Sequence, residues 1–164
     1  MAVHDFMSRI KHGYRPHAFN IAIDGITDKL GVMCRSATLP GDETGIIEVP
    51  YDGVIAKLPG DISYNEWTTT IMLDIDFAIY DDVENWRNQI FNHTLGIGAD
   101  SAVTALKTGN IMLYDNPITK KIIREYKLMF LWPYSIGDLD LNRDSRDEIA
   151  TFDVTWAYTL KVKD

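Results

Sequence analysis

The chain has 164 residues, long enough for one domain with a substantial core, and its hydrophobic fraction of 46% fits a globular protein and argues against intrinsic disorder. Sixteen Lys and Arg stand against 24 Asp and Glu, and the formal charge of −8 disfavours binding to nucleic-acid phosphates or anionic lipid. The single cysteine, Cys34, excludes an intrachain disulfide and a multi-cysteine zinc site, and no apolar run is long enough to cross a membrane as a helix. His4, Asp5, Arg9, Lys11 and His12 interrupt the opening segment, which does not read as a secretory signal; the expectation is a soluble chain made inside the cell.

Val3, Phe6, Met7 and Ile10 follow helical spacing and predict an N-terminal helix over about 3–12 that packs either on its own domain, the commoner arrangement, or on a neighbour. Phe19, Ile21 and Ile23 alternate as a strand. After a turn at Gly25 to Gly31, Leu30 to Thr38 reads as the returning strand of a hairpin. Prolines and glycines punctuate residues 40–61, where two short strands, Ile46 to Tyr51 and Val54 to Leu58, meet at a Tyr51-Asp52-Gly53 turn. Prolines confine such pieces to an edge or a protrusion. Two readings stand: a decorated surface loop, or an arm that adds to a neighbour.

Glu66 to Phe77 is the clearest strand. Trp67, Thr69, Ile71, Leu73, Ile75 and Phe77 share a dry face, and Glu66, Thr68, Thr70, Met72, Asp74 and Asp76 a wet one. Asp81 and Asp82 stand where a helix cap belongs, before a core stripe of Val83, Trp86, Ile90 and Phe91 on a helix ending near His93. Residues 94–110 are glycine-rich, with a brief helix at Ser101 to Lys107. Asn110 to Tyr114 forms a strand, and so does Ile122 to Trp132, with Tyr126, Leu128, Phe130 and Trp132 on one face. The last strand runs from Glu148 to Val162, with Phe152, Val154, Trp156, Tyr158, Leu160 and Val162 inward and Thr151, Asp153, Thr155, Thr159 and Lys161 outward. The elements predict one α+β, mainly β domain over residues 1–164, with an antiparallel β-barrel or sandwich. Its core is placed at Trp67, Ile71, Leu73, Trp86, Trp132, Phe152 and Trp156.

The patterns that resemble chemistry fail on geometry. Asp138, Asp140, Asn142 and Asp144 have calcium-loop spacing, but Arg143 replaces the turn glycine and Ile149 the bidentate glutamate. Asp74 and Asp76 alone are an incomplete cation shell. His4, His12, His17 and His93 lack zinc-hydrolase spacing, and Gly96-Ile97-Gly98 lacks the third glycine of a dinucleotide loop. Asn92-His93-Thr94 is a glycosylation acceptor without a secretory signal, and Cys34 sits in an apolar stretch as a core residue. The reading is therefore no enzyme, no metal and no cofactor.

Two stretches carry a family resemblance. One is Ala37-Thr38-Leu39-Pro40 with, beyond the 40–61 segment, Gly60-Asp61-Ile62-Ser63-Tyr64-Asn65-Glu66-Trp67-Thr68-Thr69-Thr70-Ile71. The other is Leu131-Trp132-Pro133-Tyr134-Ser135-Ile136-Gly137-Asp138-Leu139-Asp140-Leu141, continuing through Asp144-Ser145-Arg146-Asp147-Glu148 to Thr155. With the length, the acidic balance and Arg15-Pro16 before the first strand, nearly the whole chain resembles the tail tube proteins of contractile-tailed bacteriophages.

The resemblance implies a β-barrel or sandwich with a flanking helix and a protruding hairpin arm. It implies subunits that close into hexameric rings and stack into a hollow tube through which DNA leaves the capsid. The implied partners are other copies of the chain, a tail sheath protein outside, baseplate or tube-initiator proteins, and a tape-measure protein inside. DNA would pass without specific binding, no membrane is involved, and the subunit would be made in the bacterial cytoplasm and end in the virion. On this reading Ile46, Ile47, Val49, Tyr51, Val54 and Ile55 form the ring-stacking arm, and Thr70, Asp74, Asp76, Asp153 and Thr155 face the lumen. Tube subunits of secretion or injection machines, and an acidic monomeric inhibitor, are the alternative classes.

Overall fold

A computed structural model of the chain describes residues 3–10, 13–92, 97–98 and 102–164. Its first half runs α1 (Val3–Ile10), β1 (Phe19–Ile23), α2 (Leu30–Met33), β2 (Cys34–Ala37), β3 (Asp42–Tyr51), β4 (Val54–Tyr64), β5 (Trp67–Met72) and α3 (Ala78–Ile90). Then follow β6 (Phe91–Asn92), β7 (Ile97–Gly98), a 3-10 turn at Ala102–Ala105, β8 (Lys107–Tyr114), β9 (Ile122–Ile136), β10 (Thr151–Ala157) and β11 (Leu160–Lys163). The described strand pairs are antiparallel, and the main path is β1-β8-β9-β10-β5-β2 with β11 also on β9. The fold is thus mainly β with flanking helices, two sheets meeting along β9.

Alternation builds the core directly. Across the β5–β10 ladder Trp67 faces Trp156, Thr69 faces Val154 and Ile71 faces Phe152, and all six are buried. From the other sheet come Ile21, Ile23, Ile111, Leu128 and Leu131. Helix α3 closes this face with Ile79, Val83 and Trp86; the Trp86 and Trp156 rings lie 5.6 Å apart, and Tyr80 meets Phe152 edge-on at 5.1 Å. Each such large side chain contributes about 1.5–3 kcal/mol by leaving water. The indole of Trp86 donates to the Ala105 carbonyl at 2.7 Å, and Lys107 Nζ lies 4.4 Å over its ring, fixing α3 to the start of β8.

The two sheets turn into each other at one level. In β9, Phe130 adopts φ 59, and the β8–β9 register slips between Lys107 and Gly109. A residue in the left-handed region adds one position to the strand and shifts its phase, as in a β-bulge. Leu128 and Leu131 therefore both point inward, whereas Phe130 is exposed. Directly across, the chain pauses between β10 and β11: Ala157 pairs with Trp132 and Leu160 with Met129, leaving Tyr158 and Thr159 opposite the bulge.

Several sequence expectations change. Leu30 to Thr38 is not the partner of β1: it starts as α2, and β2 then crosses to pair with β5. Leu30 is buried, and Gly31 brings α2 so close to β1 that a Cβ there would meet the Ile21 carbonyl oxygen at 3.1 Å. The strand expected to run to Phe77 ends at Met72. Asp74 ends it by accepting the Ile75 N–H at 2.8 Å, and its carbonyl accepts the Phe77 N–H, so Ile75 is 91% exposed rather than dry. Helix α3 begins at Ala78, ahead of Asp81 and Asp82. Asp82 caps nothing there but accepts the Thr27 N–H and hydroxyl at 3.1 and 2.7 Å. Phe91 falls in β6 and is exposed, and His93 lies outside the described residues.

The 101–107 helix is a 3-10 turn within its described part, and Lys107 already belongs to β8. Strand β9 continues past Trp132 to Ile136, and the bulge turns Phe130 outward and leaves Trp132 half-buried against the core's edge. The last strand is two, β10 and β11; Glu148 lies outside it, and Leu160 and Val162 are exposed. The apolar stripe of α1 does not pack on its own domain: Val3, Phe6, Met7 and Ile10 are all exposed, Val3 at 78%.

Candidate functional site

The most distinctive surface is the β3–β4 hairpin, longer than the sequence pattern indicated. Its strands pair from Asp42↔Tyr64 to Tyr51↔Val54. Asp52 (φ 49) and Gly53 (φ 80) both adopt left-handed backbone, as the two-residue type I′ turn requires, and Asp-Gly supplies it at low cost. Pairing sorts the side chains onto two faces. One carries Ile47 opposite Leu58, Val49 opposite Ala56 and Tyr51 opposite Val54; the other carries Ile46, Pro50 and Ile55 around Glu48 and Lys57, which approach to 3.9 Å. Every residue of β3 is exposed, Tyr51 at 78%, so the hairpin gives the core almost nothing.

Ile46, Ile47, Val49, Tyr51, Val54 and Ile55 all lie on this hairpin, in two groups: Ile47, Val49, Tyr51 and Val54 share one face, Ile46 and Ile55 the other. Leu58 and Ile62 are equally exposed and were missed; the alternation Val54, Ala56, Leu58 was the available signal. At the root, Gly41 O accepts the Asn65 N–H at 3.0 Å. Lys161 Nζ on β11 donates to Asp42 Oδ1 at 2.7 Å and to the Pro40 carbonyl at 3.0 Å.

The second surface is the outer face of β5 and β10. Thr68 stands opposite Thr155, Thr70 opposite Asp153 and Met72 opposite Thr151, and Thr70 Oγ1 donates to Asp153 Oδ1 at 2.6 Å. Thr70, Asp153 and Thr155 are thus brought together. Asp74 and Asp76 are not on this stripe; they occupy the turn between β5 and α3. Asp74 pairs with Lys29 at 3.2 Å, and this hydrogen bond, with that from the Ile75 N–H, holds its carboxyl below the ordinary carboxylate range. Trp67, Ile71, Leu73, Trp86, Phe152 and Trp156 are buried, leaving Trp132 at the margin.

Among the described residues no group of three or more His, Cys, Asp or Glu is placed to share a metal ion. What the surface offers is apolar area in separate patches: the α1 stripe, the hairpin, Ile75 and Phe77 before α3, and Ile118, Ile122 and Ile123 at the β8–β9 turn. Exposed apolar area on this scale marks contact with other protein.

A mainly β fold whose apolar residues escape the core in a hairpin and in α1 has the surface of a subunit of an assembly. The chain belongs to the phage tail tube protein family, whose sequence profile matches residues 6–160. It is 26% identical over 143 residues to the tail tube protein gp19 of Enterobacteria phage T4, covering 87% of each chain, and 27% identical over 146 residues to that of phage T6, again over 87% of each. Among solved structures it resembles a chain of the sheath–tube complex of the PVC extracellular contractile injection system in its extended state. The TM-score is 0.70 at 14% identity, over 100% of this chain and 98% of that one. The protein is a structural tail tube subunit and a virion component, not an enzyme.

Proposed function

We propose that copies of this subunit close into hexameric rings that stack through the β3–β4 arm into a hollow conduit for DNA ejection. The exposed apolar ladder of the arm carries this reading: on a chain of the tail tube family, Ile47, Val49, Tyr51, Val54 and Leu58 stand exposed, without cover among the described residues of the subunit. Sheath subunits pack on the outside of the tube, baseplate proteins start it, and a tape-measure protein sets its length from within. The subunit is made in the host cytoplasm and ends in the virion tail.

The lumen is lined by the Thr70–Asp153–Thr155 face, with Asp74 and Asp76 at its rim. The polar, partly acidic composition of that face supports this, as does the formal charge of −8, which ring symmetry multiplies. DNA carries one negative charge per ~1.7 Å of axis, so such a wall lets it slide without sticking. An injection-machine tube is the second reading, favoured by the shared fold; the sequence match to two phage proteins favours the phage tail. Negative-stain microscopy of concentrated protein, seeded with baseplates, tests the proposal: rings or hollow tubes are expected, and a monomer under all salt conditions would overturn it.

A further inference from the structure

We infer that Lys161 is a positioning residue that latches the root of the β3–β4 arm and sets the angle at which the arm leaves the sheets. The inference rests on the stacking reading of that arm. Among the described residues the arm is held chiefly at its root: the side chains of β3 are exposed along its whole length, and those of β4 are exposed apart from Gly60 and Tyr64. At the root the chain passes Pro40, Gly41 and Asp42. Gly41, without a Cβ, is the freest joint in that passage. Lys161 Nζ spans it, donating to the Pro40 carbonyl at 3.0 Å on one side and to the Asp42 carboxylate at 2.7 Å on the other. One ammonium thus restrains both flanks of the hinge.

The second strand of the arm is held at the same point. Tyr64 pairs with Asp42 across the ladder, its ring lies 5.9 Å from Lys161 Nζ, and it packs on Tyr158 with ring centroids 5.7 Å apart. The Lys161 side chain is 15% exposed and that of Asp42 49%, so the ammonium end of the contact is shielded from solvent while the carboxylate end is open to it. Leverage makes the latch matter. Strand β3 has ten residues. At ~3.3 Å per residue the arm is about 30 Å long, and a swing of about 10° at the root moves the tip by ~5 Å, one strand spacing.

Full-length Lys161→Met, Lys161→Arg and Asp42→Asn proteins test this beside a variant lacking residues 41–59. Two quantities are read: amide exchange of the root peptide in the unassembled subunit, and the concentration at which baseplate-seeded tubes grow. Met should speed root exchange and raise that concentration about tenfold each, the loss of a charge-assisted contact of about 1.4 kcal/mol. Its melting temperature should stay near that of the unaltered protein. Asp42→Asn should shift both quantities in the same direction, and Arg, which can reach both acceptors, should restore them.

Unchanged root exchange in the Met and Asn variants overturns the latch. So does unchanged growth in those variants where the arm deletion abolishes growth. If the arm-deleted protein grows normal tubes, the stacking reading fails instead, and the latch loses its role. If the Met variant fails to fold, the Asn and Arg pair decides alone.

Discussion

The indole Nε1 of Trp156 donates a hydrogen bond to Thr69 Oγ1 at 2.9 Å across the β5–β10 ladder, with both residues buried and the Trp67 and Trp86 rings about 6 Å from that of Trp156. A threonine in the middle of an aromatic core is thereby explained: it satisfies an N–H that no water can reach. Thr69→Val keeps the shape and removes the acceptor. It should cost about 1–3 kcal/mol, the penalty of a buried donor left unpaired, whereas Thr69→Ser should retain the hydrogen bond. Urea unfolding followed by tryptophan fluorescence distinguishes the two.

Neighbouring positions on β5 should respond oppositely to the same substitution. Ile71→Asp buries a charge opposite Phe152 and should cost more than ~3 kcal/mol, enough to prevent folding. Thr70→Asp points to the outer face and should fold. It also sets a second carboxylate opposite Asp153, with a cost of up to ~1 kcal/mol that salt reduces. Circular dichroism of the two variants is sufficient; equal damage would contradict the face assignment.

Burial pushes the Cys34 thiol up from 9.0 to about 11. The native state therefore keeps its proton where the unfolded chain has begun to lose it. Stability from this group is fully present below about pH 9 and is lost as pH rises toward 11. The Tyr158 phenol, raised to about 12 by burial and by nearby Tyr64 and Asp42, acts in the same direction at higher pH. Urea midpoints measured from neutral pH to about 10.5 should fall less steeply for Cys34→Ala than for the unaltered protein, whatever the absolute cost of the lost sulfur.

Asp153→Lys tests the lumen assignment. The residue is exposed, so the subunit should fold and tails should assemble. Each substitution replaces a negative charge with a positive one, and, in the proposed ring, symmetry would repeat it as a basic belt that binds DNA by counterion release. Phage carrying Asp153→Lys should eject DNA more slowly at low salt and recover at high salt. Unaltered kinetics at every salt concentration would place Asp153 away from the channel.

The parts legible in the sequence were those where one physical pattern acted alone. Trp67 to Met72 and Phe152 to Trp156 alternate because each has one dry face, and Asp52-Gly53 announces its turn because few residues accept its backbone. The errors fell where long-range contacts overrule a local pattern. Ile75 and Phe77 continue the alternation of β5 in sequence, but the hydrogen bonds of Asp74 to Ile75 and Phe77 have already turned the chain. Asp82 looks like a cap and instead binds Thr27, 55 positions away. Phe130 keeps the strand period on paper, and the bulge that reverses its direction leaves no mark in composition. Nothing near Lys161 in the sequence points to Asp42, 119 positions earlier. On the candidate surfaces, the arm was legible as apolar residues between prolines, but its two faces required the register.

The continuity of β9 has a mechanical consequence. Its 15 residues pair with β8 and β11 in one sheet and with β10 in the other, without a loop between. A load along β9 applied to one half of the strand reaches the other half through covalent bonds rather than through side-chain contacts. The flanking ladders meet a load along the strand in shear, where many hydrogen bonds must yield together. The Phe130 bend lets one strand serve both sheets, so the subunit has a spine that can carry thrust around a corner without a seam at which to split.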